Sequence, residues 1–186
     1  MNRRRALCGM MAACIAIGLL AVIPQHLYAQ AQKGADLLKS RQYREAETAL
    51  REELKADPSD VQARYYLALS LLEQEKNQEA LAEMKQVQQA QLRADQWTRS
   101  PVPNEYQVQI ALGRARLALK NYSEALSNIE SARIEDGNSA EVYLYRGLYY
   151  LEQKKSAEAA RDLEKAIKLA PNSPEAVRAK QLMQSK

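Results

Sequence analysis

The 186-residue sequence has no phenylalanine, one tryptophan, one histidine and two cysteines. Cys8, Cys14 and His26 all lie in the N-terminal segment 1–31, so the rest of the chain contains neither cysteine nor histidine. This absence excludes Cys/His zinc sites, Cys–His nucleophiles and Ser–His–Asp triads from residues 32–186. It also excludes a disulfide framework, so any core in this region must be stabilised by packing alone.

Glycine is also scarce, with six in the chain, and no G-x-G-x-x-G or other phosphate-binding loop occurs. Carboxylates are plentiful, and they stand in charged helical surroundings beside Lys and Arg, which is typical of a solvated helix face rather than of an acid–base pair. Examples are Glu45 and Glu47, Glu52 and Glu53, and Glu73 and Glu75. We therefore predict no enzyme activity, no cofactor and no metal site. A carboxylate-dependent hydrolase is the alternative from the enzyme class.

The N-terminal segment 1–31 has the pattern of a secretory signal peptide. Three arginines at positions 3–5 precede an uncharged apolar run over residues 6–23, and Ala29-Gln30-Ala31 forms an A-x-A cleavage site. The run is also just long enough to span a bilayer, so an uncleaved inner-membrane anchor is the alternative. Pro24 and the cleavage site favour removal of the segment, which predicts an exported protein of the periplasm or cell envelope.

The basic net charge of +4 comes largely from that first segment. Without its three arginines the chain keeps 24 of its 27 Lys and Arg residues, against 23 Asp and Glu. Because basic and acidic residues are interspersed, we expect no nucleic-acid partner.

A helix–turn–helix pattern recurs from residue 27 onward, and residues 140–173 show it most fully. Apolar residues stand there at spacings of three and four, as on one face of a helix. Small residues recur in each first helix at Gly34, Ala68, Gly113 and Gly147, and in each second helix at Ala46, Ala80, Ala125 and Ala159. A large apolar residue follows each of those alanines four places on, at Leu50, Met84, Ile129 and Leu163. In each of these three sets, the spacing between the first two positions equals the spacing between the last two. The spacing between the second and third positions is longer, because residues 95–105 are inserted there.

This 34-residue pattern resembles the tetratricopeptide repeat (TPR) family. The resemblance implies an all-α fold, a right-handed α-solenoid of four TPR helix pairs, over residues 27–60, 61–94, 106–139 and 140–173. The sequence departs from the family at the first-helix aromatic, kept only as Tyr143, and at a usual leucine, replaced by Arg146. The aromatic is replaced by Gln30, Arg64 and Gln109 in the other three repeats.

Local signals predict the helix ends. Capping-box patterns predict N-caps at Ser59, Asn104 and Asn138. Leu92 stands where a closing proline is usual, so we expect the second helix of repeat 2 to continue to about Trp97. Ser173-Pro174 predicts a final helix over 174–184 that caps the array. Its polar outer face is assigned to Glu175, Arg178, Lys180 and Gln181, and its packing face to Ala176, Val177, Ala179, Leu182 and Met183.

The resemblance also implies that the first helices line a concave groove that holds an extended or helical peptide. The candidate groove residues are Tyr65, Tyr66, Leu69, Leu72, Ile110, Arg114, Leu117, Leu144, Tyr145, Leu148 and Leu151. Alternatively, these stripes pack on each other in a short, closed superhelix. Arg114 would be a charge midway along an apolar groove, which favours a partner with one acidic residue between apolar anchors. Trp97 either pins the lengthened helix against repeat 3 or provides a second contact for a partner.

The predicted function is a non-catalytic scaffold of the bacterial cell envelope that binds a protein or peptide partner. No small-molecule substrate is expected, and a membrane is expected only through the N-terminal segment if it stays uncleaved. The nearest alternative is a membrane-anchored TPR subunit of a pilus or outer-membrane assembly machine. A third possibility is self-association through Trp97 and the open end of repeat 1.

Overall fold

The computed structural model of the protein describes residues 33–93 and 103–184, and this part of the chain is helical without strands. Helix α1 covers residues 33–39. It is followed by α2 (Tyr43–Ala56), α3 (Val61–Glu73), α4 (Asn77–Arg93), α5 (Glu105–Ala118), α6 (Tyr122–Glu135), α7 (Ala140–Glu152), α8 (Ser156–Leu169) and α9 (Pro174–Gln184). The predicted signal peptide, Trp97 and most of the insert lie outside the described residues.

Each helix packs mainly on its neighbours in sequence. The pairs α3/α4, α5/α6 and α7/α8 are in close contact, and the first helices of successive pairs also touch, α3 with α5 and α5 with α7. This is the arrangement of an α-solenoid, in which each helix pair buries its apolar face against the next pair. The predicted all-α solenoid fold is confirmed.

The periodic small and large residues form the contact within each helix pair. The second-helix alanines at 46, 80, 125 and 159 are fully buried, and so are the four large apolar residues that follow them. In the last pair, a Cβ added to Gly147 would lie 2.9 Å from Leu163 Cδ2, closer than side chains ordinarily pack. The sequence period is therefore the spacing of the helix–helix contacts.

The predicted N-cap of α5 is confirmed. The Asn104 side chain accepts a hydrogen bond from the Gln107 N–H at 2.8 Å, and the Gln107 side chain accepts one from the Asn104 N–H at 3.0 Å. This reciprocal pair satisfies two of the backbone donors left free at a helix start.

The other two predicted N-caps are wrong by one residue. Helix α3 is capped by Asp60, which accepts from the Ala63 N–H at 2.9 Å, while the Ser59 N–H donates to Asp57. Helix α7 follows Ser139, and the Asn138 N–H donates to Asp136 instead. The aspartates that end the preceding segments form Asx turns with Ser59 and Asn138, so neither of these residues is the one that caps the helix.

Helix α4 has 17 residues, whereas α2, α6 and α8 each have 14. The prediction that this helix continues past the position of the missing proline is confirmed as far as Arg93. Its continuation to Trp97 lies outside the described residues.

Two assignments on α9 are corrected. Val177, expected on the packing face, is 49% exposed, and Arg178, expected on the outer face, lines the groove described below. Helix α9 packs on both α7 and α8 through Ala176 and Ala179, which are fully buried. Because this contact follows two small residues three apart, Val177 and Arg178 lie beside it rather than within it.

The predicted environment of Glu53 is also wrong. The sequence pattern placed it on a solvated face, but it is fully buried. It lies three residues after Leu50 and seven after Ala46, so it falls on the face of α2 that packs inward.

The turns inside the helix pairs share one backbone conformation. In the described part of the chain, Arg41, Glu75, Lys120 and Lys154 have φ values between 58° and 61°. After α7, the Lys154 N–H donates to the Leu151 C=O and the Lys155 N–H to the Tyr150 C=O, both at 2.9 Å. These two bonds make a Schellman motif, whose left-handed residue is most often glycine.

We expect Lys154→Gly to raise the free energy of unfolding by about 0.5–1 kcal/mol. A residue with a Cβ is strained in the left-handed region, and glycine relieves that strain. The stabilisation from this relief outweighs the entropic cost of the greater freedom of glycine in the unfolded chain. Lys154→Ala is the matched control and should stay within about 0.5 kcal/mol of the wild type, because alanine keeps the Cβ. Urea denaturation of the three proteins measures the difference. A glycine variant less stable than the alanine variant would contradict the prediction.

An ion-pair cluster centred on Glu47 joins the first two helix pairs. Glu47 accepts hydrogen bonds from Arg51 at 2.9 Å, Lys76 at 2.7 Å and Gln74 at 2.9 Å. Burial alone would raise the pKa of Glu47, but the hydrogen bonds from Lys76, Arg51 and Gln74 outweigh it and lower the pKa to about 2.

The depressed pKa of Glu47 makes this cluster sensitive to acid. Its contribution to stability should be present above about pH 4.5, the ordinary pKa of a glutamate, and should be lost as the pH falls to about 2. As the pH falls from about 4.5 to 2, the free energy of unfolding should therefore drop less in Glu47→Gln than in the wild type, by roughly 1–2 kcal/mol. Glu52→Gln, at an exposed glutamate of the same helix, is the control. Equal acid profiles for the wild type and Glu47→Gln, measured by denaturation at each pH, would refute the assignment.

Candidate functional site: a groove over the first helices

Three pockets meet at Arg114 and together form a groove over the first helices of the repeats. The N-terminal pocket, about 530 Å³, includes Leu38 of α1 and Tyr66 and Leu69 of α3. The central pocket, about 420 Å³, is lined by Leu72, Glu73, Glu75, Asn77, Arg114, Ala118, Tyr145 and Arg178. The C-terminal pocket, about 210 Å³, is lined by Arg114, Leu117, Ala118, Lys120, Tyr145, Leu148, Glu152 and Arg178.

The predicted stripe divides into two sets. Six members are partly exposed: Tyr66, Leu69, Arg114, Leu117, Leu148 and Leu151. Five are buried, with at most 8% of their surface exposed: Tyr65, Leu72, Ile110, Leu144 and Tyr145. Trp97, the suggested second contact, lies outside the described residues.

The buried set packs between successive repeats. Tyr65 and Leu72 belong to the core that repeats 1 to 3 share, and Ile110 packs in a cluster with Val142 and Tyr145 of repeat 4. Leu144 belongs to the cluster that includes Ala179 of the capping helix. The stripe is therefore not open along its whole length. Ile110 and Tyr145 pack on each other between neighbouring first helices, as in the alternative, whereas Leu144 packs against the last helices of the array.

Arg114 is not the isolated charge that the sequence suggested. Its guanidinium donates to Glu73 Oε1 at 2.7 Å and lies 5.2 Å from the centre of the Tyr145 ring. The arginine is thus neutralised by a carboxylate of the preceding first helix and stacked on the next one. Glu73 and Arg114 belong to different repeats, and only the packing of α3 beside α5 brings them together.

A polar cluster between α5 and α7 was missed by the sequence reading. The Tyr106 hydroxyl lies 2.6 Å from Ser139 Oγ and donates to Glu141 Oε2 at 3.2 Å. Burial raises the pKa of Glu141, an effect that Arg114 and the Tyr106 hydrogen bond only partly offset. Glu141 is the N2 residue of α7 and Tyr106 follows the start of α5, so the link between two repeats emerges only from their stacking.

The capping helix also contributes to the groove. Arg178 of α9 lines both the central and the C-terminal pockets, and its guanidinium lies 6.0 Å from the centre of the Tyr145 ring. The sequence reading missed this role because it assigned Arg178 to the outer face of the cap.

Neither a metal site nor a membrane span is found among the residues that the structure describes. In residues 33–93 and 103–184, no three His, Cys, Asp or Glu side chains are grouped so as to hold a metal ion. None of the described helices is both long and apolar enough to cross a membrane.

Stacked helix pairs with a groove over their first helices define a helical-repeat protein of the scaffold class. A family model described as "Tetratricopeptide repeat" matches residues 32–95 and 110–174. The chain therefore belongs to the tetratricopeptide repeat family, whose members generally bind protein or peptide partners and are generally not catalysts. No curated protein sequence matches the chain significantly.

Solved structures with the same fold include TTC0263, a TPR protein of Thermus thermophilus. It is 23% identical, with a TM-score of 0.63 over 78% of this chain and 75% of that one. PilF of Pseudomonas aeruginosa is also 23% identical, with a TM-score of 0.60 over 86% of this chain and 69% of that one. YrrB, described as a TPR protein with an unusual peptide-binding site, is 20% identical, with a TM-score of 0.61 over 83% of this chain and 74% of that one.

Proposed function

We propose that this protein is a non-catalytic scaffold of the bacterial cell envelope that binds a peptide segment of a protein partner in the groove over its first helices. The observation that carries the proposal is the row of partly exposed apolar side chains at Tyr66, Leu69, Leu117 and Leu148, along a groove made of three adjoining pockets. Apolar surface that stays accessible in a concave site typically marks an interaction site.

The family and one structural neighbour support peptide binding as the mode of interaction. TPR proteins generally bind protein or peptide partners. The description of YrrB names a peptide-binding site, and that property is transferred to this chain only within the present proposal.

The envelope location rests on the N-terminal segment. A basic start, an apolar run and an A-x-A site over residues 1–31 support export followed by cleavage. The second candidate is a membrane-anchored subunit of an envelope assembly machine, which the 18-residue length of the apolar run favours. N-terminal sequencing of the protein from its native envelope separates them: a start at Gln30 or Gln32 supports export, and a retained Met1 supports the anchor.

The groove is tested by placing a photoreactive amino acid at Leu117 and, as a control, at Ile134. Ile134 is 76% exposed and lies near the end of α6, outside the three pockets. After irradiation in the native envelope, we expect a discrete cross-linked protein from the Leu117 position and none from Ile134. The same adduct from both positions would place partner binding outside the groove.

The Leu148→Ser variant tests whether the groove is required for partner binding. Because Leu148 is partly exposed, the substitution should leave the melting temperature within a few degrees of the wild type while abolishing the cross-link at position 117. Ile134→Ser should preserve both the melting temperature and the cross-link. A Leu148→Ser variant that folds normally and still cross-links would overturn the groove as the binding site.

A further inference from the structure

The C-terminal pocket combines an apolar floor with a basic rim. Its floor is formed by Leu117, Tyr145 and Leu148, and its rim carries three cationic groups against one carboxylate. We infer that this pocket binds an apolar side chain of the partner peptide together with an adjacent Asp or Glu, whose carboxylate is bound by Arg178 and Lys120. The inference rests on the proposed function and specifies the chemistry of the peptide.

The cations on the rim are not equivalent. Arg114 is already paired with Glu73 at 2.7 Å, so its charge is largely satisfied within the chain. Lys120 and Arg178 form no ion pair within the described part of the chain, and the Arg178 guanidinium lies 6.0 Å from the centre of the Tyr145 ring on the pocket floor. The one carboxylate of the rim, Glu152, accepts a hydrogen bond from the Tyr122 hydroxyl at 2.9 Å. Two cations therefore remain available to an incoming carboxylate.

The excess of cations without an ion pair is largest at this end of the groove. In the N-terminal pocket, Lys39 pairs with Asp36 and Arg114 with Glu73, which leaves Arg41. In the central pocket, Glu73 and Glu75 balance Arg114 and Arg178. In the C-terminal pocket, Lys120 replaces the second glutamate, which leaves a net positive potential over an apolar floor. Low-dielectric walls strengthen such a potential, so a carboxylate should be favoured here over a neutral or basic group.

The size and position of the pocket favour a peptide over a small molecule. At about 210 Å³ it is smaller than the roughly 300–1,000 Å³ typical of small-molecule sites, and it suits one or two side chains. It shares Arg114, Ala118, Tyr145 and Arg178 with the central pocket, so a bound chain can continue along the groove. Leu117 and Leu148 belong to one apolar cluster and offer a continuous surface to the apolar side chain.

The test uses three synthetic seven-residue peptide libraries that differ only at the central position, which is Glu, Gln or Lys. The flanking positions are randomised among uncharged residues, and both termini are blocked to remove their charges. The full chain is immobilised in a mild detergent, retained peptides are identified by mass spectrometry, and the best binders are titrated by fluorescence anisotropy. We expect the best Glu peptide to bind roughly tenfold more tightly than its Gln twin, because a charge-assisted bond replaces a neutral one.

The double variant Lys120→Gln/Arg178→Gln should bind the Glu and Gln peptides equally. Lys180→Gln removes a charge from the same capping helix outside the three pockets, and it should keep the full preference for Glu. Thermal melting of each variant confirms that the fold is retained. The preference for Glu should also shrink as salt is added, because both cations lie near the surface.

The other outcomes separate this inference from the proposed function. If the Glu and Gln peptides bind equally well and neither binds the Leu148→Ser variant, the groove is supported as the binding site and the acidic preference is overturned. A preference for Lys, or a Glu preference that survives in the double variant, would also overturn it. If no library is retained above the level seen with Leu148→Ser, both the inference and peptide binding in the groove fail.

Discussion

Replacing Leu163 by alanine is expected to lower the free energy of unfolding by about 2–5 kcal/mol. Leu163 is fully buried between α7 and α8, and it belongs to the cluster that includes Tyr143, Leu144 and Ala166. The substitution removes apolar surface from the core and leaves a cavity that rigid stacked helices refill only in part. Chemical denaturation of the two proteins measures the loss.

Ile134→Ala is the control for this prediction. Ile134 is 76% exposed near the end of α6, so its truncation should change stability by no more than about 0.5 kcal/mol. If the Leu163 variant lost as little stability as the Ile134 variant, this would contradict the helix register that places Leu163 in the core.

Gly147 gives a sharper version of the same test. Its added Cβ would lie 2.9 Å from Leu163 Cδ2 and 3.0 Å from Leu163 Cγ, so Gly147→Ala overpacks the wild-type contact. In the Leu163→Ala background those atoms are absent, and the new methyl group enters the vacated space. We therefore expect the two substitutions to be favourably coupled, by roughly 0.5–3 kcal/mol in a double-mutant cycle. Strictly additive losses would show that the two side chains do not meet.

The helix contacts were predictable because they depend on a local period. Residues such as Ala159 and Leu163 lie on one face of a single helix, and the same spacing recurs in every repeat. A pattern of this kind specifies which face is buried, whatever the partner helix is. The capped start of α5 was predictable for the same reason, since Asn104 and Gln107 are neighbours within one helical turn.

The groove was only partly predictable because it depends on how the repeats curve. From the sequence, Leu144 is one more apolar residue of the stripe, but in the structure it is buried in the cluster that includes the capping helix. From the sequence, Arg114 has no partner, but in the structure it pairs with Glu73 of another repeat. Both outcomes are set by the relative positions of whole helices, which the periodicity within one helix does not encode.

Two departures from the family aromatic, in repeats 2 and 3, are explained by partners in the second helix of the same repeat, and Gln30 lies outside the described residues. Arg64 forms an ion pair with Glu83 at 2.8 Å, and the Asn128 amide donates to Gln109. In both repeats a polar first-helix residue meets a polar second-helix residue. The sequence contains this signal, because Glu83 and Asn128 each stand three places after the small alanine of the second helix, on the same turn in both repeats.

In repeat 4 the equivalent second-helix residue is Asp162, and its partner is Arg146, which occupies a usual leucine position. Arg146 Nε and Nη2 each donate to one Asp162 oxygen at 2.7 Å, and Nη1 donates to Glu130 at 3.0 Å. Only 19% of the Arg146 side chain and 9% of the Asp162 side chain are exposed. This is the bidentate geometry in which an arginine–carboxylate pair is strong.

We expect Asp162→Ala to lower the free energy of unfolding by about 2–4 kcal/mol, because it leaves a largely buried guanidinium with only one of its two partners. Arg133→Ala is the matched control. Arg133 pairs with the same Glu130 at 2.6 Å, but both side chains are about one-third exposed, and such pairs contribute at most about 1 kcal/mol. Denaturation midpoints at constant pH compare the two variants.

The double variant Asp162→Ala/Arg146→Leu tests whether the loss comes from the stranded charge. Restoring the leucine that is usual at this position removes the buried cation, so the double variant should recover most of the stability lost in Asp162→Ala. Arg146→Leu alone should also destabilise the protein, since it leaves Asp162 buried without its bidentate partner. A double variant no more stable than Asp162→Ala would show that Asp162 acts through packing rather than charge, and that the arginine in repeat 4 is not held in place by its pair.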